Sequence, residues 1–300
     1  MRSSSWRRRG GCSSSTAPAA RATARTSWRT TPRTAGQDSA SGRRPPARTP
    51  TTASPTTTRN MYVHGLTYRG NRLHVAFTWR EGNTAVLCNP GGLANHDTCY
   101  IDSDDQGRTW RNGAGAQVGT TGGALVSVAS PGLVVDPLTV DHGLMNQESQ
   151  AVDSAGRPHV VISYVPGRFT QCVSSYAAQR RSYGRAFHVR RDAAGGWHKR
   201  EIPVALNSTG RSRLVFDTSD NAYVVLPFGR VAAASAASGW ADWSVLFDGA
   251  GLNAFGEVVV DYARLAAERV LSVMYQQTSS GTTPRPCGCS ISASAGSPSS

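Results

Sequence analysis

Two pairs of residues capable of acid–base chemistry occur at the same separation in the chain. His64 and Arg80 are 16 residues apart, and so are Glu148 and Tyr164. Imidazole, carboxyl and phenol groups can transfer protons, and the planar guanidinium of arginine binds a carboxylate through two parallel hydrogen bonds. These side chains suit the binding of an acidic ligand and proton transfer on it. Other residues that we predict to line the same site are Trp79, His96, Asn146, Gln147, Arg211 and Arg213.

The equal spacing is expected if both pairs lie on equivalent β-hairpins. Short alternating strands separated by Gly, Asn and Asp turns recur from Asn60 onward. The predicted strand pairs are 62–68 with 73–80, 148–152 with 158–164, and 213–216 with 222–226. Residues that open the first strand and close the second lie at one end of each hairpin. We therefore predict that His64, Arg80, Glu148 and Tyr164 converge there.

Each hairpin is followed by a longer loop and two further predicted strands, which gives four strands per repeat. These outer strands are 98–101 and one from Trp110, then 185–190 and 197–202, then 243–247 and 257–260. A fourth repeat starts near Val270 without a clear partner strand. Residues 231–238 are predicted to be a loop of small residues. Repeated four-stranded units predict an all-β fold, a β-propeller with about three to four blades.

One turn carries a recognisable clamp, Ser103-Asp104-Asp105-Gln106-Gly107-Arg108-Thr109-Trp110. Asp105 can accept hydrogen bonds from backbone N–H groups of its own turn, and Gly107 allows a conformation that a side chain would obstruct. The pattern resembles the Asp box of sialidase-type propellers, which joins the outer strands of a blade. We predict a stabilising role at the rim for this turn, away from the ligand.

The net charge of +13 is concentrated in the N-terminal segment. Residues 1–59 contain 12 of the 32 Lys and Arg residues and 1 of the 19 Asp and Glu residues, so residues 60–300 carry 20 against 18. A nearly neutral domain is not expected to bind nucleic acid. We also expect no membrane span, cofactor or metal, because no long apolar run or zinc-ligand spacing occurs. Cys88 and Cys99 fit either a disulfide or two free thiols.

The two ends of the chain lack a foldable pattern. Residues 1–59 consist mainly of Ser, Thr, Ala, Pro, Gly and Arg. Such a segment cannot bury enough apolar surface to offset its ordering entropy. We expect residues 1–59 and 284–300 to be disordered or to be translated out of frame, with the folded part at 60–283. The nucleotide sequence tests this, because another frame should then encode alternating apolar strands.

Several segments together resemble bacterial BNR-repeat-containing proteins, which share the sialidase-like propeller with polysaccharide lyases. The segments are Asn60-Met-Tyr-Val-His-Gly-Leu66, Thr78-Trp-Arg-Glu81, Asn95-His-Asp97, the Asp box and Leu144-Met-Asn-Gln-Glu148. The resemblance covers about residues 60–283. It implies a secreted, monomeric seven-bladed propeller acting on acidic, uronate-containing polysaccharide, of which this chain would be a truncated or frame-damaged member.

The resemblance implies β-elimination on a uronic acid as the reaction. Such a lyase neutralises the carboxylate, removes the C5 proton and protonates the O4 leaving group. Arg80 would neutralise the carboxylate of the substrate, His64 or His96 would be the base, and Tyr164 would be the acid. The lyases also use a histidine pair in a His-Asn-Asn-Pro repeat and a Tyr/Arg pair, and neither motif occurs in this chain. If those groups are essential, we expect the chain to be inactive as translated.

Three alternatives remain open. A sialidase-like hydrolase would use Arg80, Arg211 and Arg213 for the carboxylate, with Tyr164 and Glu148 as the nucleophile pair. A sugar-binding propeller without catalysis would stack Trp79, Tyr164 and Phe228 on sugar faces. A defective gene product would do neither. The remaining histidines receive other roles, with His74 and His159 predicted to be structural and His188 and His198 predicted to lie at the surface.

Overall fold

The computed structural model describes residues 6–9, 59–81, 95–167, 175–283, 285 and 287–293. In chain order the strands are β1 (Trp6–Arg9), β2 (Arg59–Arg69), β3 (Arg72–Glu81), β4 (Asn95–Ser103), β5 (Thr109–Asn112), β6 (Gln117–Thr120), β7 (Val134–Asp136), β8 (Ser149–Val152), β9 (Pro158–Tyr164), β10 (Arg185–Arg191), β11 (Trp197–Ala205), β12 (Arg213–Phe216), β13 (Ala222–Leu226), β14 (Arg230–Ala234), β15 (Ser244–Phe247), β16 (Val259–Val260), β17 (Val270–Gln276) and β18 (Cys287–Ala293). Two helices, α1 (Tyr176–Tyr183) and α2 (Tyr262–Glu268), connect strands, and short 3-10 helices occur at Val140–His142 and Pro227–Gly229. Neither helix could cross a lipid bilayer.

The strands form four antiparallel sheets that follow one another along the chain. The first sheet is β2-β3-β4-β5-β6, with β7 paired to β4. The second is β8-β9-β10-β11, the third β12-β13-β14-β15 and the fourth β16-β17-β18-β1. Because each sheet is built mainly from consecutive strands, the architecture is that of successive propeller blades. The predicted all-β class and the three predicted hairpins are confirmed.

The outer strands of the third sheet differ from the prediction. The small-residue segment that we expected to be a loop forms β14, which pairs with β13 and β15. Ala232 and Ala234 of this strand are buried in a core that includes Trp240 and Trp243, so small side chains fit beside large indoles. The segment expected as the last strand, 257–260, instead contains β16, the innermost strand of the fourth sheet.

The fourth sheet brings together parts of both terminal segments. Its strand β18 pairs with β17 over seven residues and with β1 over four. The strands at Trp6–Arg9 and Cys287–Ala293 lie within the two segments that we expected to be disordered or translated out of frame. Residues 1–5 and 10–58 lie outside the described residues.

Apolar side chains fill the space between successive sheets. Ala76, Leu144 and Ile162 belong to the core between the first and second sheets. A second core, between the second and third sheets, includes Val161 and Leu214. A third, between the third and fourth sheets, includes Val215, Val225, Val260, Leu271 and Val273. This layered packing aligns the first strands of the sheets, β2, β8 and β12, next to one another.

The Asp-box turn has the geometry expected from its sequence. The Asp105 carboxylate accepts hydrogen bonds from the Ser103 hydroxyl and from the backbone N–H of Thr109, both at 2.7 Å. These hydrogen bonds lower the pKa of Asp105 to about 2. Gly107 has φ +84°, in the left-handed region that glycine favours. The turn joins β4 to β5, which places it on the outer part of the first sheet.

Candidate functional site

A β-bulge in β2 directs His64 toward the second sheet. The pairing with β3 shifts between Val63 and Gly65, which leaves His64 as the extra residue. Bulges of this kind re-aim a side chain. The His64 Nδ1 atom accepts a hydrogen bond of 3.1 Å from the backbone N–H of Glu148. His64 is therefore the neutral tautomer with its proton on Nε2, and burial lowers its pKa to about 3.

Gly65 permits the close approach of β2 to β8. A Cβ atom at this position would lie 2.9 Å from Gln150 Cβ and 3.3 Å from its carbonyl oxygen. The Gln150 side chain spans the gap, accepting from the backbone N–H of Ala76 and donating to the carbonyl of His74. The glycine and the glutamine thus fix the distance between His64 and Glu148.

Replacing Gly65 with alanine is expected to destabilise the fold by about 1–3 kcal/mol, because the added methyl group overpacks this contact. Gly113→Ala is the matched control, since its Cβ would have no neighbour nearer than 3.7 Å. Urea unfolding of both variants measures the difference. Equal stability of the two variants would show that β2 can move away from β8 at little cost.

The loop before β8 is held from both sides by arginines. Arg180 of α1 is fully buried and donates to the carbonyl of Gly143 at 2.6 Å and to the hydroxyl of Ser163 at 2.8 Å. Arg211 donates to the backbone carbonyl of Asn146 at 2.8 Å and to its side-chain oxygen at 3.0 Å. The loop therefore presents Gln147, in the left-handed region with φ 53°, and Glu148 in one fixed orientation.

Glu148 is a buried carboxyl group at the start of the second sheet. Its Oε1 atom accepts a 2.8 Å hydrogen bond from the Ser163 hydroxyl, and its Oε2 atom has no side-chain partner among the described residues. Burial raises the pKa of Glu148 to about 7, although Arg180 and the Ser163 hydroxyl act in the opposite direction. A carboxyl group with this pKa can both accept and donate a proton near neutral pH.

Two arginines and one glutamate form the neighbouring charged cluster. Arg213 donates to the backbone carbonyl of Glu148 at 2.8 Å, and its Nη2 lies 3.7 Å from a carboxylate oxygen of Glu257. Arg211 pairs with the same carboxylate at 2.9 Å. All three side chains are about one-third exposed. Arg213 is thus oriented beside Glu148 and remains accessible to a ligand.

These residues line a cleft of about 410 Å³ between β2, β8 and β12, the inner strands of the first three sheets. The cleft is lined by His64 and Thr67 of β2, by Glu148 and Gln150, by Arg213 and by Tyr262 of α2. Its size is in the range of ligand-binding clefts. The structure therefore brings together His64, Gln147, Glu148 and Arg213 of the predicted site residues, with Asn146 and Arg211 supporting them.

Four of the predicted site residues lie elsewhere. Arg80 is at the end of β3, with its guanidinium 5.5 Å from the centre of the Tyr62 ring. Trp79 is buried in the apolar core of the first sheet, edge-on to Phe77. Tyr164 is buried between the first and second sheets and stacks on Phe187 at 4.3 Å. The equal 16-residue spacing therefore does not bring Tyr164 and Arg80 into the cleft.

His96, the fourth, lies between two carboxylates of the first sheet. Its Nδ1 is 2.9 Å from Asp97 and its Nε2 is 3.2 Å from Glu81. Burial alone would lower the pKa of His96, but the two acidic partners raise it above its usual value. These contacts favour the protonated ring, which is a poor base.

The environments of the other histidines and of the cysteines can be compared with those predicted from the sequence. His188 was predicted to lie at the surface, and this is wrong because the residue is 1% exposed. Its Nε2 is 2.8 Å from Nδ1 of His159, and both rings pack near Trp240. His74 and His159 are buried, as expected for structural residues. Cys99 is a buried free thiol, and Cys88 lies outside the described residues.

Sequence analysis missed Arg180, Ser163, Glu257 and Tyr262. A fully buried arginine on a short helix carries no sequence signal that distinguishes it from a surface arginine. Tyr262 could have been found through strand assignment. If residues 257–260 are read as the innermost strand of the next repeat, Tyr262 directly follows that strand and faces the other inner strands.

Among the described residues, no group of three or more His, Cys, Asp or Glu side chains is arranged to hold a metal ion. The sequence also matches no curated protein. The solved structures that resemble this chain include two with low sequence identity and low TM-scores. One is a protein from Bacteroides ovatus ATCC 8483 that is named only provisionally, as a hydrolase (12% identity, TM-score 0.33, covering 78% of this chain and 61% of the other). The second is a sialidase (10% identity, TM-score 0.30, covering 77% and 25%).

The chain therefore spans less than two thirds of the length of either protein. The sequence itself matches a family model described as "BNR repeat-containing family member" over residues 6–205. The match begins well before Asn60, where we expected the resemblance to start. It covers 200 of the 300 residues. On this match, together with the successive antiparallel sheets, the chain belongs to the BNR repeat-containing family.

Proposed function

We propose that this protein acts on an acidic, uronate-containing polysaccharide at the cleft between β2, β8 and β12, by β-elimination. The observation that carries the proposal is Glu148, a buried carboxyl group with a pKa of about 7 that lines the cleft beside Arg213. Proton transfer at a carbon next to a carboxylate needs a base and a nearby cation. Both groups are present in this cleft.

Arg213 is the proposed ligand of the substrate carboxylate. Its contacts with the Glu148 carbonyl and with Glu257 fix the plane of the guanidinium before a ligand arrives. A pre-oriented guanidinium loses little conformational entropy when it binds a carboxylate. Neutralising that carboxylate favours loss of the C5 proton, because negative charge develops next to it in the transition state.

Glu148 is the proposed proton-transferring group. In the carboxylate form it takes the proton from C5, the electron pair of that C–H bond forms the C4=C5 double bond, and the C4–O4 bond breaks. The same carboxyl group then returns the proton to the O4 leaving group. A single residue can serve both steps because its pKa of about 7 lies near neutral pH.

His64 is a positioning residue in this scheme. Its Nδ1 holds the backbone N–H of Glu148, and its pKa of about 3 makes it too weak a base to remove a proton itself near neutral pH. This differs from the role that the resemblance implies for His64. The contacts of Arg80, His96 and Tyr164 likewise favour structural roles over the neutralising, basic and acidic roles that the resemblance implies.

A binding function without catalysis is the second candidate. It is favoured by the ion pairs of Arg211 and Arg213 with Glu257, because arginines held this way bind an anion without needing any proton transfer. A sialidase-like site has less support, because it would need Arg80 together with Arg211 and Arg213. Arg211 and Arg213 pair with Glu257, whereas Arg80 stacks over Tyr62 outside the cleft.

Incubation of the protein with glucuronate-containing polymers tests the proposal. We expect the ultraviolet absorbance of an unsaturated uronate to increase with time, together with new reducing ends. Reducing ends without that absorbance would indicate hydrolysis and would overturn the elimination. Binding measured by calorimetry without either product would support the non-catalytic candidate, and absence of binding would overturn both.

A further inference from the structure

The cleft at Glu148 continues into a second cleft along the same inner strands. The second cleft has a volume of about 550 Å³ and shares Thr67, Gln150 and Tyr262 with the first. We propose that the two clefts are subsites of one groove that binds at least two consecutive sugar units, with Tyr262 as the platform between them. This inference rests on the proposed function and adds the minimum length of its substrate.

The path of the strands places the subsites one behind the other. The first cleft is lined by the start of the second sheet, at residues 147–150, and the second by residues 150–152 and Ser154. Similarly, β2 contributes His64 to the first cleft and Arg69 to the second. Consecutive strand residues advance about 3.3 Å each. The groove is therefore elongated along the strands, because its lining residues lie several positions apart. A linear polymer fits this shape better than a compact ligand does.

Tyr262 is placed at the junction by the start of α2. Asp261 caps the helix by accepting from the backbone N–H of Arg264 at 2.9 Å, and Leu265 packs against the core between the third and fourth sheets. The Tyr262 side chain is 53% exposed although it lines both clefts. An exposed aromatic ring in the groove offers a flat apolar surface for the C–H face of a sugar.

The second cleft differs from the first in its charges. Arg69 and Arg269 line it together with Asp217 and Asp220, so its formal charges cancel. Asp217 already accepts from Asn221 at 2.8 Å, and Asp220 accepts from the backbone N–H of Ser154 at 2.8 Å. The second subsite therefore suits a neutral, hydroxyl-rich unit. In the first, burial keeps Glu148 partly protonated near neutral pH, so the charge of Arg213 is not fully balanced and suits an acidic unit.

Calorimetric titration with ligands of different length tests the groove. The probes are glucuronic acid and a tetrasaccharide of alternating glucuronate and neutral sugar units. We expect the tetrasaccharide to bind about tenfold more tightly or better, because it also occupies the second subsite. Ala266→Trp fills the second cleft from α2 and should reduce tetrasaccharide affinity to that of glucuronic acid. Ala267→Trp is the matched control on the same helix, since Ala267 lines neither cleft.

Two further variants separate stacking from hydrogen bonding at the platform. Tyr262→Phe should retain most of the tetrasaccharide affinity, whereas Tyr262→Ala should lose about tenfold. Equal affinity of wild-type protein for both probes would overturn the groove and leave the proposed function intact. Equal loss in the Ala266 and Ala267 variants would also overturn it. If neither glucuronic acid nor the tetrasaccharide binds, the proposed function is overturned and this inference with it.

Discussion

Glu148→Gln is expected to lower the rate of product formation on glucuronate polymers by about 10²–10⁴-fold, the usual contribution of a positioned acid–base group. The amide keeps the shape of the side chain and an oxygen that can accept from Ser163. It cannot take up the C5 proton. Initial rates measured at saturating polymer should therefore fall, while the affinity measured by calorimetry changes little.

Glu201→Gln is the matched control for this prediction. Glu201 lies on the outer strand β11, where its half-exposed side chain contacts Arg185 at 3.4 Å. Its variant should retain the activity of the wild-type protein. A Glu148→Gln variant with wild-type turnover would remove Glu148 from the mechanism, even if the protein proves to be a lyase.

The stability of the Glu148→Gln variant as a function of pH gives a measurement that does not depend on activity. The pKa of Glu148 is raised to about 7 from an ordinary value of 4.5, so the folded state holds this proton more tightly than the unfolded state does. Stability from this group is greatest below pH 4.5 and is lost as the pH rises toward 7. The free energy of unfolding falls by about 3 kcal/mol in total over this pH interval. Relative to wild type, Glu148→Gln should thus gain stability over this pH interval.

The second large effect is expected from Arg180→Ala, which should lower the free energy of unfolding by about 3–5 kcal/mol. Arg180 is fully buried and donates to two backbone carbonyls, those of Gly143 and Ser163, and to the Ser163 hydroxyl. Removing it takes away the donor of the Gly143 carbonyl and of the Ser163 hydroxyl, and it removes the buried charge that lowers the pKa of Glu148. Urea unfolding followed by tryptophan fluorescence measures the loss.

Arg181→Ala is the control for Arg180, because Arg181 is its exposed neighbour on the same helix. Its variant should differ from wild type by less than about 0.5 kcal/mol. If Arg180→Ala does not fold, Arg180→Lys retains the charge while losing the planar fork, and its unfolding can be followed instead. Either folded Arg180 variant with wild-type stability would contradict the structural role of this residue. Loss of the charge should also raise the pKa of Glu148, and the pH dependence of turnover should shift upward in Arg180→Ala.

Local sequence patterns were sufficient to predict the hairpins and the Asp-box turn. Alternation of apolar residues in segments such as 73–80, together with turn residues at fixed places, specifies which strands pair with their neighbours in sequence. Asp105 and Gly107 specify their turn through contacts within a few residues. Their geometry could be predicted because every interaction involved is local.

Patterns that depend on packing were predicted less well. The Ala-rich strand β14 has no strong strand propensity, and it forms because Ala232 and Ala234 fit a core that includes Trp240 and Trp243. The strand β16 was assigned to the wrong sheet because a short β-strand carries no signal for which neighbour it joins. Burial of His188 likewise results from contacts with His159, 29 residues away in the sequence.

For the site, the sequence by itself determined that acid–base and cationic residues occur at the ends of repeated hairpins. Only the tertiary structure decided which of them meet. The bulge at His64 and the close approach at Gly65 bring His64 to Glu148, whereas Tyr164 turns into an apolar core and Arg80 stacks on Tyr62. The physical reason is that a strand position sets only which face a side chain occupies, whereas its neighbours across a sheet interface set its burial. The pKa of Glu148 depends on that burial and on Arg180, and neither can be read from a spacing of 16 residues.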